Sequence, residues 1–321
     1  MFQPSTFPWD LAILLLIAGP FCLLILVALA LRKPRGWKAK TFLHAVGILC
    51  FATSMTVLYG SFLEPRIITV TERSVPFPYP EELTIAVFGD LHAGPYKGEA
   101  FLWRVVDRIN GLRPDLVLFA GDFLFDGNSP LEDLEPFAEL RPSIGTVAVF
   151  GNHDMGRMQN FFGQRFNMAD RSRELRRFLQ DRGVTVLENE NILFQTSKGS
   201  FAVAGTGDLW AADVDWGKSF AKIPEERPVI LLTHNPDVSR DPQGLRADVT
   251  VSGHTHGGQF RLPFFGPIAP VPVRIGKDYS QGIFTLTGGT TLAITRGIGE
   301  TRARARLFAW PEILLLKTVP R

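Results

Sequence analysis

Five short apolar runs, each ending in a turn that carries a carboxylate or an imidazole, constrain this chain more than any other feature. Thr84–Phe88 leads into Gly89-Asp90-Leu91-His92, Leu116–Ala120 into Gly121-Asp122, and Thr146–Phe150 into Gly151-Asn152-His153-Asp154. Further on, Val229–Leu232 leads into Thr233-His234-Asn235-Pro236, and Val249–Ser252 into Gly253-His254-Thr255-His256. Short unbroken apolar runs rich in β-branched residues suit strands buried on both faces. Amphipathic stretches over Glu99–Asn110 and Asp170–Asp181 predict connecting helices. Strands alternating with helices predict an α/β domain.

The chain has six histidines, and all but His44 stand at these strand ends. Histidines kept for packing alone would also scatter over helices and surfaces. Polar side chains on loops held by a rigid sheet are where α/β enzymes assemble their sites. Carboxylate, imidazole and amide oxygen form a ligand set without thiolate, which suits Mn²⁺, Fe²⁺ or Zn²⁺. The set is large enough for two divalent ions sharing one carboxylate. Two such ions ~3.5–4 Å apart can clamp a phosphate and lower the pKa of a bridging water.

The order Asp-x-His, Gly-Asp, Gly-Asn-His-Asp, a lone His, then Gly-His-x-His resembles the calcineurin-like metallophosphoesterases. The resemblance runs from about Thr84 to Val319. It implies a four-layer α/β/β/α sandwich and a binuclear hydrolase of phosphate esters that works by in-line attack of a metal-bridging hydroxide. It further implies that Asp90, His92, Asp122 and His256 hold one metal and Asp122, Asn152, His234 and His254 the other, with Asp122 as the bridge. His153 would then stabilise the phosphate or protonate the leaving alkoxide, with Asp154 orienting its ring. A positioned proton donor and a carboxylate behind it fit that chemistry.

Leu11–Leu31 is an uncharged run of 21 residues, and Phe42–Leu63 is a second run without charge. A helix of ~20 residues at ~1.5 Å per residue crosses the ~30 Å hydrocarbon core. Residues 1–63 are therefore expected to form an anchor of two transmembrane helices, 11–31 and 42–63. A Pro-rich linker is expected over 64–82 and the catalytic domain over 83–321. A signal peptide is the competing reading of the first run, but no basic residue precedes Leu11. Arg32, Lys33, Arg35, Lys38 and Lys40 lie between the two runs. The positive-inside bias places that loop in the cytoplasm, and hence the catalytic domain in the periplasm or outside a bacterial cell membrane.

The net charge of +2 is too mild to argue for nucleic acid. The two cysteines, Cys22 and Cys50, both lie in the apolar runs, which excludes a disulfide framework for the soluble part. No protein partner is implied, and the expected partners are the phosphate ester and the membrane.

Substrate contacts are expected in two places. Arg302 and Arg304 alternate with Arg306 and would share one face of an extended segment. Phe161 and Phe162 follow the Gly-Asn-His-Asp turn in a Phe/Met-rich stretch that could grip acyl chains, with an Arg-rich helix beyond it facing anionic lipid. A phosphodiester of a lipid or envelope substrate is the expected target. A phosphomonoester, or the pyrophosphate of a nucleotide-linked lipid, is the alternative, and a non-catalytic scaffold on the same fold is the reading from another class. The patch Asp208-Leu209-Trp210 reads equally as a lid or as a capped turn.

Overall fold

A computed structural model describes residues 6–159 and 164–320. Phe161 and Phe162 lie outside the described residues. Helices α1 (Phe7–Leu31) and α2 (Trp37–Leu58) pack against one another as an antiparallel pair. Both are long and apolar enough to cross a membrane, and most of their side chains are exposed. Each starts before its uncharged run, because the flanking Trp9, Asp10 and Lys38 continue the helical turn at no cost in burial. A π-helical turn, Tyr59–Leu63, and a 3-10 turn, Glu64–Arg66, carry the chain out of α2.

The strands and α-helices that follow are, in order, β1 (Thr69–Phe77), β2 (Thr84–Phe88), α3 (Glu99–Gly111), β3 (Leu116–Ala120), β4 (Gly145–Val149), β5 (Arg157–Gln159), β6 (Arg165–Asn167), α4 (Ser172–Gln180) and β7 (Val184–Val186). There follow β8 (Glu190–Thr196), β9 (Gly199–Gly205), α5 (Trp216–Ser219), β10 (Val229–Leu232), β11 (Val249–Ser252), β12 (Arg261–Leu262), β13 (Gly266–Pro267), β14 (Gly282–Thr285), β15 (Thr291–Ile294) and β16 (Glu312–Pro320). Two six-stranded sheets form, in the orders β1-β16-β2-β3-β4-β7 and β14-β15-β11-β10-β9-β8. Within the first, β2, β3, β4 and β7 run parallel, as β9, β10, β11 and β15 do in the second.

The apolar runs are continuous because each strand buries both faces. Val87, Leu118 and Val149 from one sheet meet Ile230, Leu232 and Val251 from the other. The outer face of the first sheet takes Val105 and Ile109 of α3 and Leu175 and Leu179 of α4, each pair one helical turn apart. On the outer face of the second sheet, Phe220, Ile223 and Val238 cover Ala202 and Leu231. These are the four layers of an α/β/β/α sandwich.

Two expectations change. The stretch 64–82 is not a plain linker, since it contains β1, which pairs in parallel with β16 over nine residues from Thr69↔Glu312 to Phe77↔Pro320. An edge strand tolerates Pro76, whose missing N–H leaves only the outer side of the ladder undonated. Nor do Arg302, Arg304 and Arg306 project from one extended face. Arg302 adopts a left-handed φ of 62°, and Arg306 is fully buried. Its guanidinium donates to the carbonyls of Gly299, Ala309 and Arg296. An arginine stays ionised when buried if its N–H groups are satisfied, and three carbonyls do that here.

Candidate metal centre

All five ligand-type turns leave the carboxyl ends of parallel strands, β2, β3 and β4 in one sheet and β10 and β11 in the other. The sandwich brings those ends together at one edge. Asp90, His92, Asp122, His254 and His256 have φ between 49° and 69°, the left-handed region. Asp and His enter this region more readily than most residues, at roughly 1–2 kcal/mol each. Five strained residues in one cluster mark a site whose packing dictates backbone shape. Gly151 shows how tight it is, because a Cβ there would overlap the Asp122 carboxylate.

The side chains form three overlapping groups, Asp90/His92/His256, His92/Asp122/His153 and Asp122/His234/His254, each with its donor atoms within 4.8 Å of one another. Asp122 belongs to two of the three. Its Oδ2 lies 3.5 Å from His92 Nε2 and 3.3 Å from His234 Nε2. Facing nitrogens are 3.1 Å apart in His92 and His256 and 3.0 Å apart in His254 and His234. Such spacing suits nitrogens ~2.0–2.1 Å from a common ion. Asn152 Oδ1 comes within 3.2 Å of His234 Nε2, while its amide nitrogen donates to the Arg157 carbonyl at 2.7 Å.

Three of the four opposite ring nitrogens are tied to backbone oxygens, while His92 Nδ1 has no hydrogen-bond partner among the described residues. His234 Nδ1 donates to Ala120 O at 2.7 Å, His254 Nε2 to Pro272 O at 3.2 Å, and His256 Nδ1 to Gly299 O at 3.3 Å. A hydrogen bond on one ring nitrogen fixes the tautomer and leaves the other free as a ligand. The inward nitrogens of His234, His254 and His256 are thus prepared to bind an ion, and together with His92 and the carboxylates the donor set fits a pair of divalent ions.

His153 is half-buried, its ring 4.4 Å from that of His92 between centroids, and its Nδ1 donates to Phe125 O at 2.7 Å. Nε2 is left as the nitrogen that can meet a bound ester. Phe125, then, orients this ring rather than Asp154. The Asp154 carboxylate is fully buried and accepts from the N–H groups of Phe123, Leu124 and Gly151 at 2.9, 3.0 and 3.0 Å. It knits the Gly-Asp turn to the Gly-Asn-His-Asp turn, and its bonds go to backbone N–H groups while the His153 ring bonds to Phe125 O instead.

Residues 83–258 match the family model of the calcineurin-like phosphoesterases. The chain belongs to that family. It is 30% identical over 79% of its length to the uncharacterized metallophosphoesterase YkuE of Bacillus subtilis, and covers 87% of that protein. It is 31% identical over 87% of its length to the phosphodiesterase YaeI of Escherichia coli, covering 98% of it. The UDP-2,3-diacylglucosamine pyrophosphatase LpxG of Chlamydia muridarum is 24% identical over 83% of this chain and 94% of its own. The chain is thus a metal-dependent phosphoester hydrolase of a family that uses a binuclear divalent centre, and its apolar helices associate it with a membrane.

The phosphoesterase's cluster concentrates charge in a dry place. Burial alone would lower the pKa of His234, but Asp122, and behind it Asp90, raise it to about 10. Burial lifts Asp90 to about 7 against the pull of His234. His254 falls to about 3, through burial and then the charge of His234. A cation needs neutral imidazole and ionised carboxylate, so loading the site below pH 10 must expel the His234 proton. Apparent metal affinity is expected to rise ~10-fold per pH unit between pH 7 and 8, and more steeply below 7 as Asp90 also holds a proton. Titration calorimetry in buffers of different ionisation enthalpy would count the released protons. Affinity independent of pH would contradict this origin.

Other residues join the site. Asp208 follows the Phe201–Gly205 run on its own Gly-Asp turn, repeating the signal of the five motifs at a sixth strand end. It is buried, its Oδ1 accepts from the N–H of Trp210 and Ala211, and Oδ2 has no hydrogen-bond partner among the described residues. Trp210 lies edge-on to His254 with centroids 4.8 Å apart, and Arg165 sits 4.7 Å above the Trp210 ring. The patch is both a capped turn and a wall of the site. Arg306 contributes from beneath, bonding the carbonyl of Gly299, whose N–H donates to Asp90 O at 2.7 Å. Arg302 donates to Gln159 O. Arg304 lies over the rings of Phe62 and Tyr96, at the helix exit.

Proposed function

We propose that this phosphoesterase hydrolyses a phosphodiester of a membrane or envelope substrate, with Asp90, His92, Asp122 and His256 holding one divalent ion and Asp122, Asn152, His234 and His254 the second. The observation that carries this reading is the position of Asp122 in two of the three donor groups, with Oδ2 3.5 and 3.3 Å from imidazoles on either side. Mn²⁺, Fe²⁺ or Zn²⁺ bound there would offset charge on the phosphoryl oxygens and supply an acidified water at neutral pH. Asp122 sets the spacing of the two subsites. His153, held by Phe125 O, presents Nε2 to the leaving oxygen and donates its proton as that bond breaks. Trp210, supported by Arg165, closes the His254 side against water.

The membrane association and the likeness to a phosphodiesterase support a lipid-type diester. The likeness to a UDP-2,3-diacylglucosamine pyrophosphatase supports a second reading, cleavage of a nucleotide-linked lipid. The two differ in topology. Five basic residues between the helices favour a cytoplasmic loop and a catalytic domain on the opposite side, where a cytoplasmic nucleotide-lipid would not reach it.

Full-length protein in detergent, stripped of metal and reloaded with Mn²⁺ or Zn²⁺, would be given paired synthetic mono- and diesters. Metal-dependent turnover faster on the diester is the expected result. Faster turnover of the monoester would overturn the diester assignment, and silence on both with two ions bound would overturn the proposed reaction.

A further inference from the structure

We propose that the hairpin β12–β13, with Phe308 beside it, is seated in the interfacial layer of the bilayer that the N-terminal helices enter. It rests on the membrane association of those helices but not on any particular substrate. The hairpin tip is Pro263-Phe264-Phe265, with Phe264 104% and Phe265 80% exposed. Ile268, Leu262 and Phe308 add 59%, 46% and 41% exposure to the same surface. Single exposed apolar residues are ordinary, whereas several large ones on one projecting turn indicate a surface that water does not normally see.

The base of this hairpin is held firmly, so the bare tip is presented rather than left over. Arg261 N donates to Leu307 O at 2.9 Å, Leu307 N to Gln259 O at 3.0 Å, and Ile268 N to Phe260 O at 2.9 Å. The Arg261 guanidinium donates to Gly257 O and to Ser280 Oγ. Phe264 itself has a φ of 68°, costly for a bulky side chain. Keeping a phenylalanine outside in that conformation makes sense if the ring has somewhere apolar to go.

A bilayer is the occupant the surroundings favour, because the same loop that holds the hairpin also holds the exit of α2. Arg306 N donates to Gly60 O at 2.8 Å. Phe308 N and Ala309 N donate to the Glu64 carboxylate at 3.0 and 2.7 Å. Trp310 Nε1 donates to Tyr59 OH at 3.1 Å. Phe308 lines one shallow cavity with Leu262, Phe264 and Phe265, and so the patch continues directly from the first residues after the uncharged run. Lys97 fixes the junction further, pairing with Glu300 at 3.2 Å and donating to Pro65 O, all buried. The domain is therefore bonded to the exit of α2 at several points, and the insertion of the helices would set the depth of the hairpin. Arg261, Lys277 and Asp278 border the cavity, and the two cations suit the headgroup level below which aromatic rings settle. Since β12 begins shortly after His256, this seating would also fix the height of the metal centre above the headgroups.

The test uses the full chain with Cys22→Ser and Cys50→Ser, carrying a polarity-sensitive NBD label at Phe264→Cys, in vesicles of phosphatidylethanolamine and phosphatidylglycerol. A label at Lys198→Cys, on the exposed turn between β8 and β9 at the opposite ends of the strands, is the reference. We expect a blue shift and several-fold brighter emission at position 264, quenched by phospholipid spin-labelled near the headgroup, with position 198 unchanged. Phe265→Cys should respond in the same way. If the protein floats with the vesicles while position 264 behaves like position 198, the seating is wrong and the helices alone touch lipid. Bright emission that spin-labelled lipid does not quench would assign the tip to a second copy or another protein, which also overturns the proposal. Failure to float would overturn the membrane association itself. Metal content, measured on every variant, reports whether the domain remains folded.

Discussion

Asp122→Ala is expected to lower metal-dependent hydrolysis by about 10³-fold or more, since losing even one preorganised electrostatic contact to a transition state costs ~10²–10³-fold. The carboxylate holds its Oδ2 3.5 Å from His92 Nε2 and 3.3 Å from His234 Nε2, closer than Asp90 comes to His234 or His256. Its other oxygen accepts from the N–H of His153 at 2.9 Å, so the substitution also frees the turn that carries the proton donor. Burial raises its pKa, and His234, then His153, bring it well below the ordinary carboxylate value. Alanine removes that attraction, and the imidazoles are left facing each other without an anion between them. Elemental analysis beside the rate assay should find fewer than two ions per chain. A variant that kept two ions and near-normal turnover would end the assignment of Asp122 as the bridge.

His153→Ala is expected to lower turnover by ~10²–10⁴-fold, the usual contribution of a positioned general acid, with both ions retained. The loss should depend on the leaving group. An alkoxide needs a proton as the bond breaks and would suffer the full effect, whereas nitrophenolate leaves well without one and would suffer less. Comparing an alkyl and a nitrophenyl diester on the same variant separates proton donation from a merely structural role. Equal losses on both esters would refute the donor role. Asp154→Asn, by contrast, touches no reacting atom. It is a buried carboxylate bonded to three backbone N–H groups, so its loss would loosen the turn rather than alter leaving-group dependence.

Much of the catalytic domain is legible in the sequence for a physical reason. Strands covered on both faces must be apolar throughout, and a polar ligand at a strand end breaks that pattern abruptly, as at Asp90, Asp122, Asn152, His234 and His254. The helices α3 and α4 are equally legible from their periodic apolar faces. β1 is not, because its prolines signal a linker while its pairing depends on β16, whose Glu312 lies more than two hundred residues away. The same Gly-Asp turn that marks Asp122 also marks Asp208, yet with Leu209 and Trp210 behind it the patch reads equally as a lid or a capped turn.

The sequence by itself determined the apolar helices, the strand-and-turn series, and the inventory of oxygen and nitrogen donors, since each is encoded by neighbours along the chain. Tertiary structure alone decided what those donors touch. It gave His153 the Phe125 carbonyl in place of Asp154, and it turned Arg304 onto Phe62 and Tyr96. It buried Arg306 beneath the turn that supports Asp90, and joined the bare Phe264–Phe265 tip to the exit of α2 through the loop around Leu307. Hydrogen-bond partners and burial depend on which distant segments share a space, and spacing along the chain carries no record of that.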